Sequence, residues 1–496
     1  MPRAREWCAT IPRRFADEDD EGGTNTVGVV SEQEIAYLPA TELVAAYRAR
    51  ALSPVEVTNA MLRRIDRLNP ELTAFVTVTP DLALAQAKAA EDAYARGDAG
   101  PLAGVPCSIK DLTPTKGIRT TMGSRINPDW VPDEDAPYVE RSYAAGGVML
   151  GKTNTPELGW KGDTANGLVG ATHNPWKHGK TAGGSSGGAA AAVAAGLGPM
   201  GQGSDGAGSI RIPAAFCGIY GIKPSFGLVP QYPASAVWDL SHLGPLTRTV
   251  RDAALCLSVV AGADARDRLS WSSGIDYLAA TDGEIGGFKV AWSPTFGGHR
   301  VTPDVAAATA KAAASFAALV CEVAEVGAPE IDPWPLLDVM WSTAMAGYFS
   351  TLTDAARAVT DPGLAAVAER GSRVSATELA AVLSRRNAYC EQMRRFMLDY
   401  DLLLTPTLPI TAFTAGRDEP DDPLSNPDMP LNWTPFTYPF DLTGQPAATV
   451  PCGFDRDGLP IGLQIVGRWK DDVAVLRASA AFEAAHPWGD RRPPVD

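Results

Sequence analysis

Hydrophobic and polar positions along this chain follow two patterns. Short apolar runs predict buried strands, and longer runs with apolar residues three or four positions apart predict amphipathic helices. The strand-like runs cover 74–78, 147–151, 287–292, 322–326, 401–404, 446–452 and 461–467. The helical runs cover 41–51, 53–68, 81–95, 137–145, 187–195, 249–261, 303–320, 376–399 and 471–485. Strands that alternate with helices in this way are typical of a layered α/β fold.

The alternating pattern extends over residues 31–490 without an internal repeat, a long linker or a shift in composition. We therefore predict one large α/β domain over 31–490. Before it, residues 1–30 carry an acidic run followed by Gly-Gly-Thr-Asn, which predicts a disordered lead-in. Residues 410–432 are rich in proline, aspartate and asparagine, which predicts a long surface loop within the domain.

Composition narrows the classes of protein that fit. The 496-residue chain has 45% hydrophobic and 20% charged residues, which is typical of a soluble, core-forming protein. Its formal net charge of −15 argues against nucleic acid or an anionic membrane as a partner, since both bind basic surfaces. No apolar run is long enough to span a membrane, and the N-terminus lacks the apolar region of a secretory signal. The seven cysteines are scattered without a CxxC pair, which favours a cytoplasmic protein and indicates neither a disulfide framework nor a zinc site.

Two glycine-rich motifs in the segment 181–218 match patterns from other folds. Residues 183–187 (GGSSG) fit the nucleophile elbow of α/β-hydrolases, but the residues before them are typical of a loop, and no downstream histidine has a catalytic setting. Residues 201–206 fit a dinucleotide-binding fingerprint, but Pro213 interrupts the helix that this motif requires. We reject both interpretations.

The same segment contains four serines and no histidine, so a serine nucleophile here needs a base from elsewhere in the chain. A lysine can serve where burial disfavours its charged form. Lys110 ends the apolar, strand-like run 106–110, which is an unusual place for a surface charge. Two roles stay open for Lys110 on this evidence: a buried base, or one half of a salt bridge with Asp111 or another carboxylate.

Several segments, taken together and in order, resemble the amidase signature family. They are 104–111 (GVPCSIKD), 151–157 (GKTNTPE), 183–188 (GGSSGG), 208–213 (GSIRIP), 217–224 (CGIYGIKP), 244–252 (GPLTRTVRD) and 442–447 (LTGQPA). The resemblance covers about residues 35–485. It implies a single α/β domain in which helices cover both faces of a mixed β-sheet core. It also implies an amidohydrolase that works without a cofactor, and the sequence shows no cluster of metal ligands.

The resemblance further implies a Ser–cisSer–Lys triad. Ser209 would be the nucleophile, Ser185 the bridging serine after a cis peptide bond from Gly184, and Lys110 the base. The oxyanion hole would consist of backbone N–H groups of the glycine-rich loop, namely those of Gly206, Ala207, Gly208 and Ser209. We expect Ser186 to support the triad by hydrogen bonding, and Asp205 and Arg211 to pair and brace the loop.

The chain departs from the family pattern in this loop. The family usually reads Asp-Thr-Gly-Gly-Ser, and residues 205–209 here read Asp-Gly-Ala-Gly-Ser. Alanine keeps its N–H group, but its methyl group must fit beside the acyl pocket and it excludes backbone angles that only glycine adopts. The methyl group of Ala207 either restricts the acyl pocket or is a harmless variation, and the sequence leaves both open.

Apolar and aromatic residues later in the chain are candidates for substrate binding. They are Met340, Trp341, Met345 and Tyr348 on a helix-like run, and Trp433 and Phe436 on the loop before the segment 442–447. Ordinary core packing is the alternative role for these residues. A wall of this kind favours hydrolysis of an amide with an apolar or aromatic group. A carbamate or ester hydrolase and the glutaminase subunit of a tRNA amidotransferase, which would need a partner protein, stay open. A homodimer, common in the family, stays open as well.

Overall fold

The computed structural model describes residues 31–420 and 433–495. Within them lie one mixed sheet of eleven strands and two short antiparallel pairs, β4 with β5 and β6 with β7, outside it. The strands, in chain order, are β1 (Phe75–Val78), β2 (Pro106–Lys110), β3 (Val148–Thr153), β4 (Ala165–Asn166), β5 (Gly170–Ala171), β6 (His173–Asn174), β7 (Lys177–Thr181), β8 (Met200–Asp205), β9 (Tyr220–Lys223), β10 (His242–Thr247), β11 (Lys289–Trp292), β12 (Glu322–Glu325), β13 (Leu402–Pro406), β14 (Ala447–Phe454) and β15 (Pro460–Gly467).

The strand order brings two chemically important strand ends together. In the large sheet the order is β1-β3-β2-β8-β10-β9-β14-β15-β13-β11-β12. Strand β2 runs parallel to both β3 and β8, and β11 runs parallel to both β12 and β13. The other neighbours pair antiparallel. Because β2 and β8 are parallel neighbours, their last residues, Lys110 and Asp205, lie at the same edge of the sheet.

Helices cover both faces of the large sheet, as expected. Leu402 and Leu404 of β13 pack in one core with the helices Val250–Val260 and Asp472–Ala485, whereas Leu403 packs in another core with the helix Trp334–Ser350. Successive side chains of a strand point to opposite faces, so these two cores lie on the two sides of the sheet. The fold is therefore a single large α/β domain with a mixed sheet.

The α-helices within the described residues are Glu32–Ala36, Ala40–Arg48, Pro54–Leu72, Pro80–Arg96, Pro137–Ala144, Gly187–Ala194, Arg211–Cys217, Val250–Val260, Tyr277–Ala280, Pro303–Ala318, Trp334–Ser350, Asp354–Val359, Pro362–Gly371, Ala376–Phe396, Pro439–Thr443 and Asp472–Ala485. Each strand and helix predicted from the sequence has a counterpart, with its ends shifted by a few residues. Ser53 caps the helix Pro54–Leu72 in a capping box with Glu56, which the Ser-Pro-Val-Glu motif indicates.

Three strands in the middle of the large sheet, β8, β9 and β10, were missing from the predicted pattern. Strand β8 reads MGQGSD, and its glycines and polar residues are typical of turns rather than strands. Tertiary packing overrides this local preference, because β8 is enclosed between β2 and β10.

Two local predictions were wrong. The helix Arg211–Cys217 forms although Pro213 lies in its first turn. Because the first four N–H groups of a helix have no partner within it, a proline there removes no helical hydrogen bond. Within residues 174–180, which were expected as loop, residues 177–180 belong to the short strand β7, which pairs with β6.

The predicted disordered lead-in over residues 1–30 and most of the predicted loop after residue 420 lie outside the described residues. Across 31–420 and 433–495, none of the helices is long and apolar enough to cross a membrane. The six cysteines in these ranges are free thiols.

Phe316 offers a test of how the outer helices are fixed to the sheet. It is fully buried, and its ring stacks on Phe482 with 5.7 Å between centroids. We expect Phe316→Ala to lower the free energy of unfolding by about 3–5 kcal/mol, because it leaves a cavity between two helices. Urea denaturation measures this change. Leu398→Ala, at a side chain that is 63% exposed, is the matched control and should change it little; equal losses in both variants would contradict this packing.

Candidate active site

The site lies at the sheet edge where β2 and β8 end. Lys110 is the last residue of β2, and Ser204 is the penultimate residue of β8. The segment 182–186 connects β7 to the helix Gly187–Ala194, and the loop 206–210 connects β8 to the helix Arg211–Cys217. Both connections meet the end of β2, which brings together serines that are distant in sequence.

Lys110 is fully buried and contacts three hydroxyl groups. Its Nζ lies 2.7 Å from Ser185 Oγ, 2.9 Å from Ser186 Oγ and 3.0 Å from Ser204 Oγ. No carboxylate within the described residues forms a salt bridge with Lys110, so the salt-bridge role that stayed open at the level of sequence does not fit. Burial lowers the pKa of Lys110 to about 7, although the nearby charge of Asp205 opposes this shift.

Asp111, the residue after Lys110, hydrogen-bonds to Thr121. Its carboxylate accepts hydrogen bonds from the backbone N–H of Thr121, at 3.0 Å, and from the Thr121 hydroxyl, at 2.5 Å. These bonds fasten the segment that follows β2 and leave the amine of Lys110 facing the serines.

The peptide bond between Gly184 and Ser185 is cis, as the family resemblance implies. Gly184 packs tightly against the backbone of Gly162 and Asp163, and a Cβ atom at residue 184 would lie 2.7 Å from the carbonyl carbon of either residue. Only glycine fits this position without moving that backbone. The close packing holds Ser185 beside Lys110.

The carboxylate of Asp205 organises the loop that carries Ser209. It accepts hydrogen bonds from the N–H of Gly208 at 2.5 Å and from the N–H of Ile210 at 3.1 Å. Gly208 has a left-handed backbone with φ of 126°, and a Cβ atom there would collide with Thr437, so glycine is required. The N–H of Gly208 is therefore engaged by Asp205, and we remove it from the expected oxyanion-hole donors. Across the described residues, no hydrogen bond engages the N–H groups of Gly206, Ala207 and Ser209.

Arg211 holds Asp205 in place, in agreement with the expected pair. Its guanidinium group donates to both oxygens of Asp205, from Nε at 2.9 Å and from Nη2 at 3.0 Å, and to Asp441 Oδ2 at 2.6 Å. Burial alone would raise the pKa of Asp205, but the charge and hydrogen bonds of Arg211 hold it well below its usual range. Burial and the charge of Asp205 raise the pKa of Asp441.

A cavity of about 450 Å³ opens over this site, and Ser185, Ser204 and Ser209 line its floor. Three of the predicted substrate-binding residues, Trp341, Met345 and Tyr348, line one wall. They lie on one face of the helix Trp334–Ser350, because residues three or four apart are neighbours on a helix surface. Substrate binding by these three residues stays a prediction.

The structure corrects the other three predicted substrate-binding residues. Met340 is fully buried and faces away from the cavity. Trp433 stacks on Phe216 within a separate core, and Phe436 lies in the core beneath the helix Trp334–Ser350. These residues have the packing role that was the alternative for the whole set.

Sequence reasoning missed most of the cavity wall. The segment 231–243 contributes many of the lining residues, including Val237 and Trp238, and the loops after β2 and β3 contribute Leu112 and Leu158. Segment 231–243 has no periodic pattern, so its sequence carried no signal that it faces the site. None of the described residues that line the cavity is an aspartate, glutamate, lysine, arginine or histidine.

Most of the chain that carries this site matches a known protein family. The sequence profile described as Amidase matches residues 56–476. The chain belongs to the amidase family. It is accordingly a hydrolase that acts on amide C–N bonds.

Similar proteins cover nearly the whole chain. An acylamidase of Rhodococcus erythropolis is 40% identical over 474 residues, which cover 94% of this chain and 98% of that protein. A glutamyl-tRNA(Gln) amidotransferase subunit of Dehalococcoides mccartyi is 36% identical, over 90% of this chain and 96% of that protein. The crystal structure of a bacterial aryl acylamidase of the amidase signature family superposes with a TM-score of 0.85 at 32% identity, over 91% of this chain and 97% of that chain.

The Arg211 pairs allow a test of what supports the nucleophile loop. We expect Arg211→Leu to lower the free energy of unfolding by about 3–5 kcal/mol, because it leaves two buried carboxylates without their partner. Urea denaturation measures the loss. Arg456→Leu, which removes an exposed pair with Asp304, is the control and should change stability little. If both arginine substitutions had the same effect, the buried network would not carry the role described here.

Proposed function

We propose that the protein hydrolyses uncharged amides with apolar or aromatic groups through an acyl-enzyme on Ser209, with Ser185 and Lys110 relaying the proton. The observation that carries this proposal is the buried amine of Lys110, 2.7 Å from the Oγ of Ser185, a serine that lines the same cavity as Ser209. A lysine with a pKa near 7 is available as a base at neutral pH.

In the proposed resting state Lys110 is a neutral amine, which has two N–H groups and one lone pair for its three hydroxyl partners. Ser186 Oγ donates its own hydrogen to the carbonyl of Ser204 at 3.2 Å, so it accepts from Lys110. Ser204 Oγ accepts the second N–H group. In this neutral state the lone pair faces Ser185, and the Ser185 hydroxyl donates the 2.7 Å hydrogen bond, which Lys110 donates in its ammonium form. This arrangement leaves Ser185 Oγ able to accept the proton of Ser209.

In the proposed reaction, Ser209 Oγ attacks the amide carbon while its proton moves to Ser185 and the proton of Ser185 moves to Lys110. The carbonyl oxygen becomes an oxyanion, for which the N–H groups of Gly206, Ala207 and Ser209 are the proposed donors. When the C–N bond breaks, Lys110 returns the proton through Ser185 to the leaving nitrogen. Water then attacks the acyl-enzyme by the same route and releases the acid.

The character of the cavity supports an uncharged substrate. Burying a charge without a partner is costly, and the described lining offers no charged side chain. Glutamine carries an ammonium and a carboxylate group that such a lining would leave unpaired. This observation favours an amidase over the glutaminase alternative, although relatives of that class are nearly as similar as the acylamidase. The apolar wall of Trp341, Met345 and Tyr348 suits an alkyl or aryl group.

A substrate panel tests the proposal directly. We expect the purified chain to turn over an anilide, and Ser209→Ala and Lys110→Ala each to lower kcat by at least about a thousandfold, because each removes a group of the proton relay. An aliphatic amide, a p-nitrophenyl ester, an aryl carbamate and glutamine complete the panel. Esters and carbamates react through the same tetrahedral intermediate, so their relative rates rank the leaving groups. Ser186→Ala is the matched control and should retain more activity than Ser185→Ala.

Two outcomes of the panel would overturn the proposal. Activity that survives Ser209→Ala would exclude Ser209 as the nucleophile. Turnover of glutamine alone would assign the chain to the amidotransferase class and would call for its partner protein.

The pH dependence provides a second test. Because the neutral form of Lys110 is the base, we expect kcat/KM for the anilide to fall as pH decreases below about 7 and to level off above it. The profile of initial rates against pH measures this midpoint. Lys152 is also buried with a pKa of about 7, but it donates to the carbonyl of Thr113 and not to a serine of the site. A folded Lys152→Gln variant should keep the midpoint; a rate that rises on acidification would contradict the assignment.

A further inference from the structure

Part of the cavity wall forms where the nucleophile loop meets the helix Trp334–Ser350. The methyl group of Ala207, which the sequence raised as a restriction on the acyl pocket, does not line the cavity; Ala207 is buried in the core beside that helix. Its neighbour Gly206 lines the cavity instead. The feature that shapes the pocket is therefore the missing side chain at residue 206.

We propose that Trp341 occupies the space left open by Gly206, and that this contact sets the depth of the acyl pocket and selects the acyl groups that the enzyme accepts. The proposal rests on the proposed function, because it assumes that Ser209 takes up the acyl group. It assigns the selection to a pair of residues that come from different parts of the chain.

The contact between the two residues is close. A Cβ atom at Gly206 would lie 3.3 Å from Cζ3 and 3.7 Å from Cη2 of Trp341, and 3.4 Å from Cγ2 of Val237. The backbone of Gly206 is not in the left-handed region, so other residues could adopt its conformation. Space, rather than backbone geometry, therefore favours glycine here, and a side chain as small as alanine requires the indole ring to move by a few tenths of an ångström.

The surroundings hold Trp341 in this position. Its side chain is 7% exposed and packs in the same core as Ala207, Val237 and Met345. Ala344, Met345 and Tyr348 continue the same helix face along the cavity. The six-membered ring of Trp341 faces the nucleophile loop, since Cζ3 and Cη2 are the atoms nearest to Gly206.

The acyl group and the leaving group of the substrate lie on different sides of the site, one near Trp341 and the other near Ser185. Ser185 returns the proton to the leaving nitrogen, so the leaving group lies near Ser185. A Cβ atom at Gly159 would lie 3.0 Å from Ser185 Oγ and 2.9 Å from Leu112 Cδ1, which places Gly159 and Leu112 around that side. Gly206 is one of the proposed oxyanion donors, so the acylated carbon lies next to it. The acyl chain then extends towards Trp341 and Val237.

Trp341→Ala tests the proposal on the full chain. The probes are p-nitroanilides of straight-chain acids that share one leaving group and differ only in acyl length, from acetyl to dodecanoyl. We expect the kcat/KM ratio of decanoyl to acetyl substrate to rise at least tenfold in Trp341→Ala. Met340→Leu is the matched control: it changes the adjacent side chain, which is buried outside the cavity, and should keep the wild-type ratio.

A second substitution tests the contact from its other side. Gly206→Ala pushes the indole ring into the pocket and is expected to lower the same ratio several-fold. In the double variant Gly206→Ala/Trp341→Ala the alanine at residue 206 has no ring to displace. Its effect on the ratio should then largely disappear, because the two residues act through one contact.

The outcomes separate this inference from the proposed function. An unchanged acyl-length profile in a folded, active Trp341→Ala variant would overturn the inference and leave the serine mechanism intact. A second series of substrates keeps the acetyl group and varies the amine. If Trp341→Ala changed the relative rates within that series, the leaving group would lie beside Trp341, and the inference would also be overturned. If the wild-type chain turned over no anilide, the proposed function itself would be contradicted.

Discussion

The burial of one lysine amine without a carboxylate partner is the constraint on which the rest of the site depends. A buried ammonium group without a counter-ion is costly, so burial favours the neutral form of Lys110. Three serine hydroxyls satisfy the amine instead: Ser185 and Ser186 lie in the connection before the helix Gly187–Ala194, and Ser204 lies in β8. The parallel pairing of β2 with β8 makes this meeting geometrically possible.

A buried cluster of charged residues lies beside the Lys110 site. Asp205 ends β8 and points its carboxylate into the following loop, where it accepts N–H groups that would otherwise lack partners. Arg211, six residues later, neutralises this carboxylate and extends the network to Asp441. Charge-assisted hydrogen bonds thus fix the loop of Ser209 on the side of Asp205 and Arg211. Rigid support of this kind suits donors that must already be oriented when an oxyanion forms.

Most of the cavity wall comes from elements other than the loops that carry the serines. The helix Trp334–Ser350 supplies an apolar face, and the segment 231–243 supplies many of the other lining residues. Among the described residues, neither contributes a hydrogen bond to the amine of Lys110, and the segment touches Asp205 only near its backbone, where His242 Nδ1 lies 3.2 Å from the carbonyl oxygen. A fold of this type can therefore change its substrate through these walls while the serines and the lysine stay in place. The contact of Gly206 with Trp341 is where the two parts meet.

The sequence by itself determined the α/β class, most helices and outer strands, and the identity of Lys110, Ser185 and Ser209 as candidates. Those features are local: apolar periodicity, capping motifs and short segments whose residues are adjacent in the chain. Only the tertiary structure decided that β8, β9 and β10 are strands; the glycines and polar residues of β8 favour turns until β2 and β10 enclose it. It also decided that Trp341 lines the cavity while Met340 and Trp433 lie in the core, and that Asp205 engages the N–H of Gly208. Such outcomes depend on contacts between residues far apart in the chain, and no local pattern encodes them.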